Sequence, residues 1–246
     1  MKSVKPWAII FWLIIWQLAS LAVGYDILLV SPIRVFLRLC ELVPTADFWT
    51  SIAFSTTRIC SGFLLGTLVG GVLAVLSARF KHICELITPL MLTIKTIPVA
   101  SFIILALIWF SSKNLSVLIS FLMVLPVMYT NTFKGINCIT VESREFAKVF
   151  ELPISRKMRY LYIPQIFPFF TAGCEIALGL CWKSGIAAEV IGMPNGSVGE
   201  KLQQAKVYLA TPDLLSWTLV IIIVSTVFEK VFLLLLKKIQ IKLEKM

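Results

Sequence analysis

Residues 61–78 read SGFLLGTLVGGVLAVLSA, eighteen positions without a charge or a proline. At 1.5 Å per helical residue such a run reaches about 27 Å, close to the ~30 Å hydrocarbon core of a bilayer, so it predicts a membrane-spanning helix. Gly62, Gly66 and Gly70 recur every four residues in it. That small-x-x-x-small stripe permits close backbone approach, and packing inside the same subunit is favoured over a dimer contact.

Working outward, three more runs are long and apolar: 7–24, 115–133, which holds Pro126 but no charge, and 214–236, free of charge as far as Phe228 and then carrying Glu229 and Lys230. Two further candidates are less clean. The run 86–110 contains Lys95 and Pro98, and 166–190 contains Glu175, Lys183 and Glu189. Charges inside spans are costly and usually functional. The fold class is therefore an all-α integral membrane protein, a single transmembrane domain over 1–246 with six helices.

Composition supports this. Of the 246 residues 59% are hydrophobic and 15% charged, and the mean hydropathy is +0.92. A water-soluble domain of that composition would leave large apolar patches exposed. Lys and Arg number 23 against 13 Asp and Glu, a formal charge of +10. Nucleic-acid binding explains this poorly. With six spans, loops on one side carry thirteen Lys and Arg, including Lys2, Lys5, Arg79, Arg144, Lys148, Arg156 and Lys245. The other side carries six: Arg34, Arg38, Arg58, Lys113, Lys201 and Lys206. The positive-inside rule then predicts a multi-pass plasma-membrane protein with both termini in the cytoplasm.

Lys2, Lys5 and Ser20-Leu21-Ala22 give the first span some likeness to a secretory signal, but its length and Trp7, Trp12 and Trp16 suit a retained helix. Residues 31–42 alternate Ile33, Leu37 and Leu42 with Arg34, Arg38 and Glu41, as a short amphipathic helix at the outer interface would. The six cysteines contain no C-x-x-C pair, and His82 is the single histidine, so no metal site is expected. Cys174 and Cys181 read as buried thiols.

The longest polar stretch, 137–164, reads as two short helices. Glu142, Glu145 and Lys148 mark the polar side of the first, Phe146, Val149 and Phe150 its apolar stripe, and Pro153 breaks it. Ile154, Met158 and Leu161 recur at helical spacing in the second, opposite Arg156, Lys157 and Arg159, and Pro164 is expected to end it. Apolar faces held in water want a partner.

Glu145-Phe146-Ala147, then Glu151, then Leu161-Tyr162-Ile163-Pro164 resembles the E-A-A, three residues, G, nine residues, I-x-L-P signature of the membrane subunits of ATP-binding-cassette importers. The spacing matches throughout. Phe146, Glu151, Leu161 and Ile163 depart from it, and with Glu151 at the Gly position the bend is expected at Leu152-Pro153. Leu29-Val30-Ser31-Pro32, Ile97-Pro98-Val99-Ala100, and Trp182 with Ala187-Ala188-Glu189-Val190-Ile191-Gly192 resemble the nitrate, sulfonate and taurine branch of these permeases. The resemblance implies a type I importer-like permease whose loop forms coupling helices against a cytoplasmic ATPase subunit. Glu142, Glu145, Phe146, Ala147, Phe150, Glu151, Pro153 and Pro164 are the candidate ATPase-coupling residues. It also implies a permease homodimer in membrane lipid, two ATPase subunits below and a solute-binding protein above.

No G-x-x-x-x-G-K-[S/T] occurs in the chain. Catalytic residues and bound cofactors are therefore expected to be none, with ATP and magnesium on the partner ATPase. For the translocation path the candidates are Lys95, Pro98, Glu175, Trp182, Lys183 and Glu189, because charge or irregularity facing lipid would be too costly. Lys95 and Lys183 suit a small anion; Lys–Glu ion pairs between neighbouring helices explain the same residues equally well. The expected function is import of a small solute, a nitrate-, sulfonate- or taurine-like anion being favoured. A thiamine-precursor pyrimidine or another aromatic solute is the alternative within transport. An integral-membrane enzyme is disfavoured by the lack of clustered acids or histidines. A secondary transporter is disfavoured by the lack of an internal repeat.

Overall fold

The computed structural model describes residues 5–25, 27–140, 142, 143, 145, 149–151 and 153–244, without the side chains of 242–244. Lys2, Asp26, Arg144, Phe146, Ala147, Lys148, Leu152 and Lys245 thus lie outside the described residues. Among those described the chain is helical, with no strand: α1 (Pro6–Val23), α2 (Pro32–Leu42), α3 (Ala46–Arg79), α4 (Lys81–Thr96), α5 (Val99–Ala106), α6 (Ser112–Asn137), α7 (Ile154–Gly192), α8 (Val198–Val207) and α9 (Thr211–Glu244). Of these, α1, α3, α6, α7 and α9 are long and apolar enough to cross a membrane, and α4 with α5 makes a sixth if taken as one broken span.

The centre of the bundle is α6, gripped between α3 and α7. A methyl group placed on Gly62 would lie 2.5 Å from the Val117 carbonyl oxygen, on Gly66 2.9 Å from that of Phe121, and on Gly70 2.8 Å from that of Leu125. The glycine stripe therefore packs within the subunit, letting two backbones approach where any side chain would separate them. The contacts advance together along both helices, so α3 and α6 are parallel, and Arg79 and Asn137 finish at the same end. On its other side α6 meets α7, here antiparallel: Asn131 packs on Gly173, and Ser120 on Gly185. The Ser120 hydroxyl donates to the Cys181 carbonyl at 3.2 Å. A cluster of Phe63, Trp182, Trp217, Phe228 and Phe232 ties α3 and α7 to α9.

Two expectations are corrected. The segment 86–110 is not one continuous helix: α4 and α5 meet at 101°. Pro98 has no amide hydrogen and its ring excludes Ile97 from the helical region, so Ile97 sits at φ −69°, ψ 129° and the helix restarts beyond the proline. Pro164 does not end the second loop helix either. The chain passes from Ile154–Lys157 through a π-helical turn, Met158–Tyr162, into Ile163–Gly192, making α7 a 39-residue helix. Pro164 falls in the first turn after that wide turn, where a missing donor disrupts little.

The helix containing 61–78 also begins earlier than hydropathy suggested, at Ala46. Its added turns carry Asp47, which pairs with Lys201 at 2.6 Å, and Arg58, whose guanidinium lies 3.9 Å from the Phe54 ring centre. The amphipathic α2 starts on a capped turn, the Ser31 hydroxyl accepting from the Arg34 amide. It is tied to α9 by Arg38 with Asp213 and by the Ser216 hydroxyl donating to the Val35 carbonyl at 3.1 Å.

The glycine seam sets up a paired test. Gly66→Val should destabilise the purified chain by about 1–3 kcal/mol or prevent its accumulation, because the added carbons meet backbone. Gly71→Ala, where a methyl meets nothing within 4 Å, should leave stability unchanged or raise it by up to ~1 kcal/mol. Thermal unfolding in detergent distinguishes the two.

Candidate functional site

The α7 helix carries three of the four charged path candidates, and the structure separates them. Glu189 is fully buried at the far end of the helix. Its Oε2 accepts from the Ser55 hydroxyl at 2.6 Å and from the Gly199 amide at 3.3 Å. Ser55 in turn accepts from the Val198 amide at 3.0 Å. One carboxylate thus joins α3, α7 and the first turn of α8, with Arg58 and Ser116 close by. A methyl on Gly199 would lie 2.2 Å from the Glu189 Cβ, so only glycine lets the turn settle on the carboxylate. Ser197 caps α8 by accepting from the Glu200 amide, and Glu200 answers with a bond from the Gly196 amide at 2.6 Å. Trp182 is buried too, its ring packed on Phe228 at 6.1 Å. Glu189 and Trp182 are therefore packed in the interior, not on an open face.

Glu175, nearly in line with Trp182 and Glu189 along the helix, and Lys183, about a third of a turn round from Glu189, differ from them in exposure. Both are exposed, together with Ile176, Gly179 and Leu180, while Cys174, Ala177, Leu178 and Cys181 on the packed side are buried. The exposed sides of the other long helices differ. On α3 the side chains turned outward include Leu64, Leu65, Leu68, Val72 and Val75, and on α9 Ile222, Ile223, Val231, Leu234 and Leu235. Those faces suit lipid. The α7 face, with a carboxylate and an ammonium about 12 Å apart along the axis, does not.

Lys95 reaches α6 from the end of α4, donating to the Thr130 hydroxyl at 2.9 Å. Among the described residues no ion pair involves Lys95, Glu175, Lys183 or Glu189, so the Lys–Glu pairing considered for them is not formed within the chain. Pro98 lies one turn on, at the bend between α4 and α5. Sequence reasoning passed over Ser55, Thr130 and Gly199. Ser and Thr within apolar helices carry no periodic signal, and only their contacts reveal them.

At the other end of α7 the chain between α6 and Pro153 holds the coupling candidates. Glu142, Ser143, Glu145 and Val149 are helical. The Thr140 hydroxyl accepts from the Ser143 amide at 3.3 Å, an N-terminal cap. Its own amide and the Thr140 hydroxyl hold the Glu142 carboxyl below the usual carboxylate range. Glu142, Glu145, Phe150, Glu151 and Pro153 are exposed and Pro164 half-buried, while Phe146 and Ala147 lie outside the described residues. Apolar side chains crowd this end: Val149 is 77% exposed and Ile154 80%, values that an unaided water-facing loop would not favour.

Residues 62–244 match the family of binding-protein-dependent transport system inner membrane components. The chain belongs to that family. This permease component is 26% identical over 227 residues to a putative aliphatic sulfonates transport permease protein of Bacillus subtilis (strain 168), covering 91% of this chain and 82% of the relative. It is 29% identical over 199 residues to the nitrate import permease protein of Synechococcus elongatus (strain ATCC 33912 / PCC 7942 / FACHB-805), covering 75% and 70%. To the taurine transport system permease protein of Escherichia coli (strain K12) the identity is 23% over 220 residues, covering 87% and 80%. It is thus an ATP-binding-cassette importer permease of the nitrate, sulfonate and taurine branch.

In this permease component the position that the family signature gives to glycine is Glu151, and Glu151 itself takes φ +44°. Glu151 thus turns the chain with a side chain in the left-handed region, while Leu152 of the expected Leu152-Pro153 bend lies outside the described residues. Pro153 is extended and caps the start of α7. An L-residue in that region costs roughly 1–2 kcal/mol.

Two outcomes follow for measurement. Glu151→Gly should raise the stability of the purified permease by about 1 kcal/mol, read as an increase in melting temperature. Glu189→Gln keeps an acceptor for Ser55 and Gly199 and should retain near-native stability. Glu189→Ala strands those donors at about 1–3 kcal/mol each, which should appear as a lowered melting temperature and faster proteolysis within 194–200.

Proposed function

We propose that two copies of this permease component enclose a path for a small anion, resembling the sulfonate, nitrate or taurine named for its relatives. The observation that carries this reading is the exposed α7 face bearing Glu175 and Lys183. Charges at that depth are tolerated where they line water or meet another protein surface, and a second copy supplies both. The solute arrives from a separate binding protein on the outer side. The surrounding faces of α3 and α9 contact lipid.

The energy enters at the 137–164 loop. In this reading both termini and the loop are cytoplasmic, in keeping with the thirteen cationic side chains that the sequence puts on that side. The exposed Val149, Ile154 and Met158 supply an apolar surface for an ATPase subunit, with Glu142 and Glu145 as charged neighbours. Nucleotide-driven closure of that subunit shifts the spans between inward-open and outward-open arrangements through differential binding to the two.

Reconstitution of the chain with its ATPase and binding protein in proteoliposomes tests the assignment. Glu145→Arg should cut co-purification of the ATPase and ATP-dependent uptake at least tenfold, while membrane insertion and melting temperature stay as in the parent. Unchanged uptake and unchanged ATPase association would remove the loop from the coupling role.

A further inference from the structure

We propose that Lys95 and Lys134, with Thr130 positioning the first, form a binding site for a small monovalent oxyanion on the path. This inference rests on the permease reading and names a site within it. Thr130 and Lys134 are one turn apart on the same face of α6, and Lys95 arrives from α4 to donate to Thr130 at 2.9 Å. Lys134 is thus a second cation within one helical turn of the hydroxyl that holds Lys95. No carboxylate pairs with either among the described residues.

The hydrogen bonds define what such a site can hold. The Thr130 hydroxyl gives its proton to the Pro126 carbonyl, so its oxygen is the acceptor for Lys95. The Asn131 amide nitrogen gives one of its two N–H groups to the Val127 carbonyl at 2.9 Å. The charged donors left are those of the lysines: Lys95 keeps two of its three N–H groups, and Lys134 has all three. The pair therefore selects a negatively charged acceptor with several oxygens and offers nothing to a cation.

Lys95 spends its length reaching Thr130 on the neighbouring helix. Both lysines are exposed, so a solute can approach the two ammoniums together, and an anion bridging them offsets their mutual repulsion. The same chemistry occurs in a transported sulfonate or nitrate and in the phosphate of an anionic lipid, and the proposal assigns the site to the free solute.

The test uses the full-length chain in phosphatidylcholine nanodiscs and measures reductive methylation of each lysine by peptide mass spectrometry. Methanesulfonate is the probe, dimethyl sulfone its neutral counterpart, and chloride keeps ionic strength constant. Methanesulfonate should slow methylation of Lys95 and Lys134 at least threefold, saturably, leaving Lys206 unchanged and with no effect of dimethyl sulfone. Lys95→Gln should abolish protection at Lys134, Lys95→Arg should keep it, and Thr130→Val should weaken it. The proposal is overturned by absence of protection, by equal slowing at Lys206, or by protection that needs phosphatidylglycerol and ignores methanesulfonate. The measurement requires no ATPase. Protection without ATP-driven uptake in proteoliposomes would therefore count against the transport reading and keep the site, whereas uptake without protection would do the reverse.

Discussion

Close contact of α6 with the glycines of its two neighbours is the constraint on which the other features depend. In a bilayer the hydrophobic effect does not drive one helix onto another, since lipid tails are as apolar as leucine. Cohesion must come from dispersion at short range and from occasional hydrogen bonds. The Gly62–Gly66–Gly70 stripe on one flank, and Gly173 and Gly185 on the other, supply the first. Ser120 to the Cys181 carbonyl is an instance of the second. With α6 fixed in this way, the packed side of α7 is settled, and so is the side left open.

The two ends of α7 are held very differently. At one end a single buried carboxylate collects a hydroxyl from α3 and an amide from the turn into α8, and the packing around Gly199 leaves no room for a side chain. At the other end, exposed valine, isoleucine and methionine surround a left-handed glutamate. A protein surface that is well satisfied at one end and unsatisfied at the other has one natural place to receive a partner.

The four most apolar runs were legible because length and hydropathy alone place such sequences in a membrane, and the glycine stripe was legible because a four-residue period has one common meaning. The limits came where a local rule met a neighbour. Pro98 and Pro164 look alike as helix breakers. The first breaks α4 from α5 because Ile97 is forced extended, and the second is absorbed by a wide turn just before it. Glu189 read as a candidate for the path, since nothing in its own helix announces that Ser55, 134 residues away, will hydrogen-bond to it. Glu151 looked unable to make the turn that it makes. The open face of α7 could be guessed from its charges, but Trp182 could be assigned to the interior only by seeing Phe228 beside it.

The unbroken length of α7 has a mechanical consequence. A helix is stiff over tens of ångströms, so if α7 and its packing partner α6 swing together about Glu189, the Ile154 end moves as the tip of a lever. Thirty-five residues separate those points, about 52 Å, and Glu175 stands about 21 Å from the fulcrum. A sideways throw of 5 Å at the free tip would then sweep Glu175 through roughly 2 Å and Lys183, six residues from the pivot, through less than about 1 Å. The gearing is steeply graded along one rod: travel is largest where force is applied and fades to stillness beside the buried carboxylate.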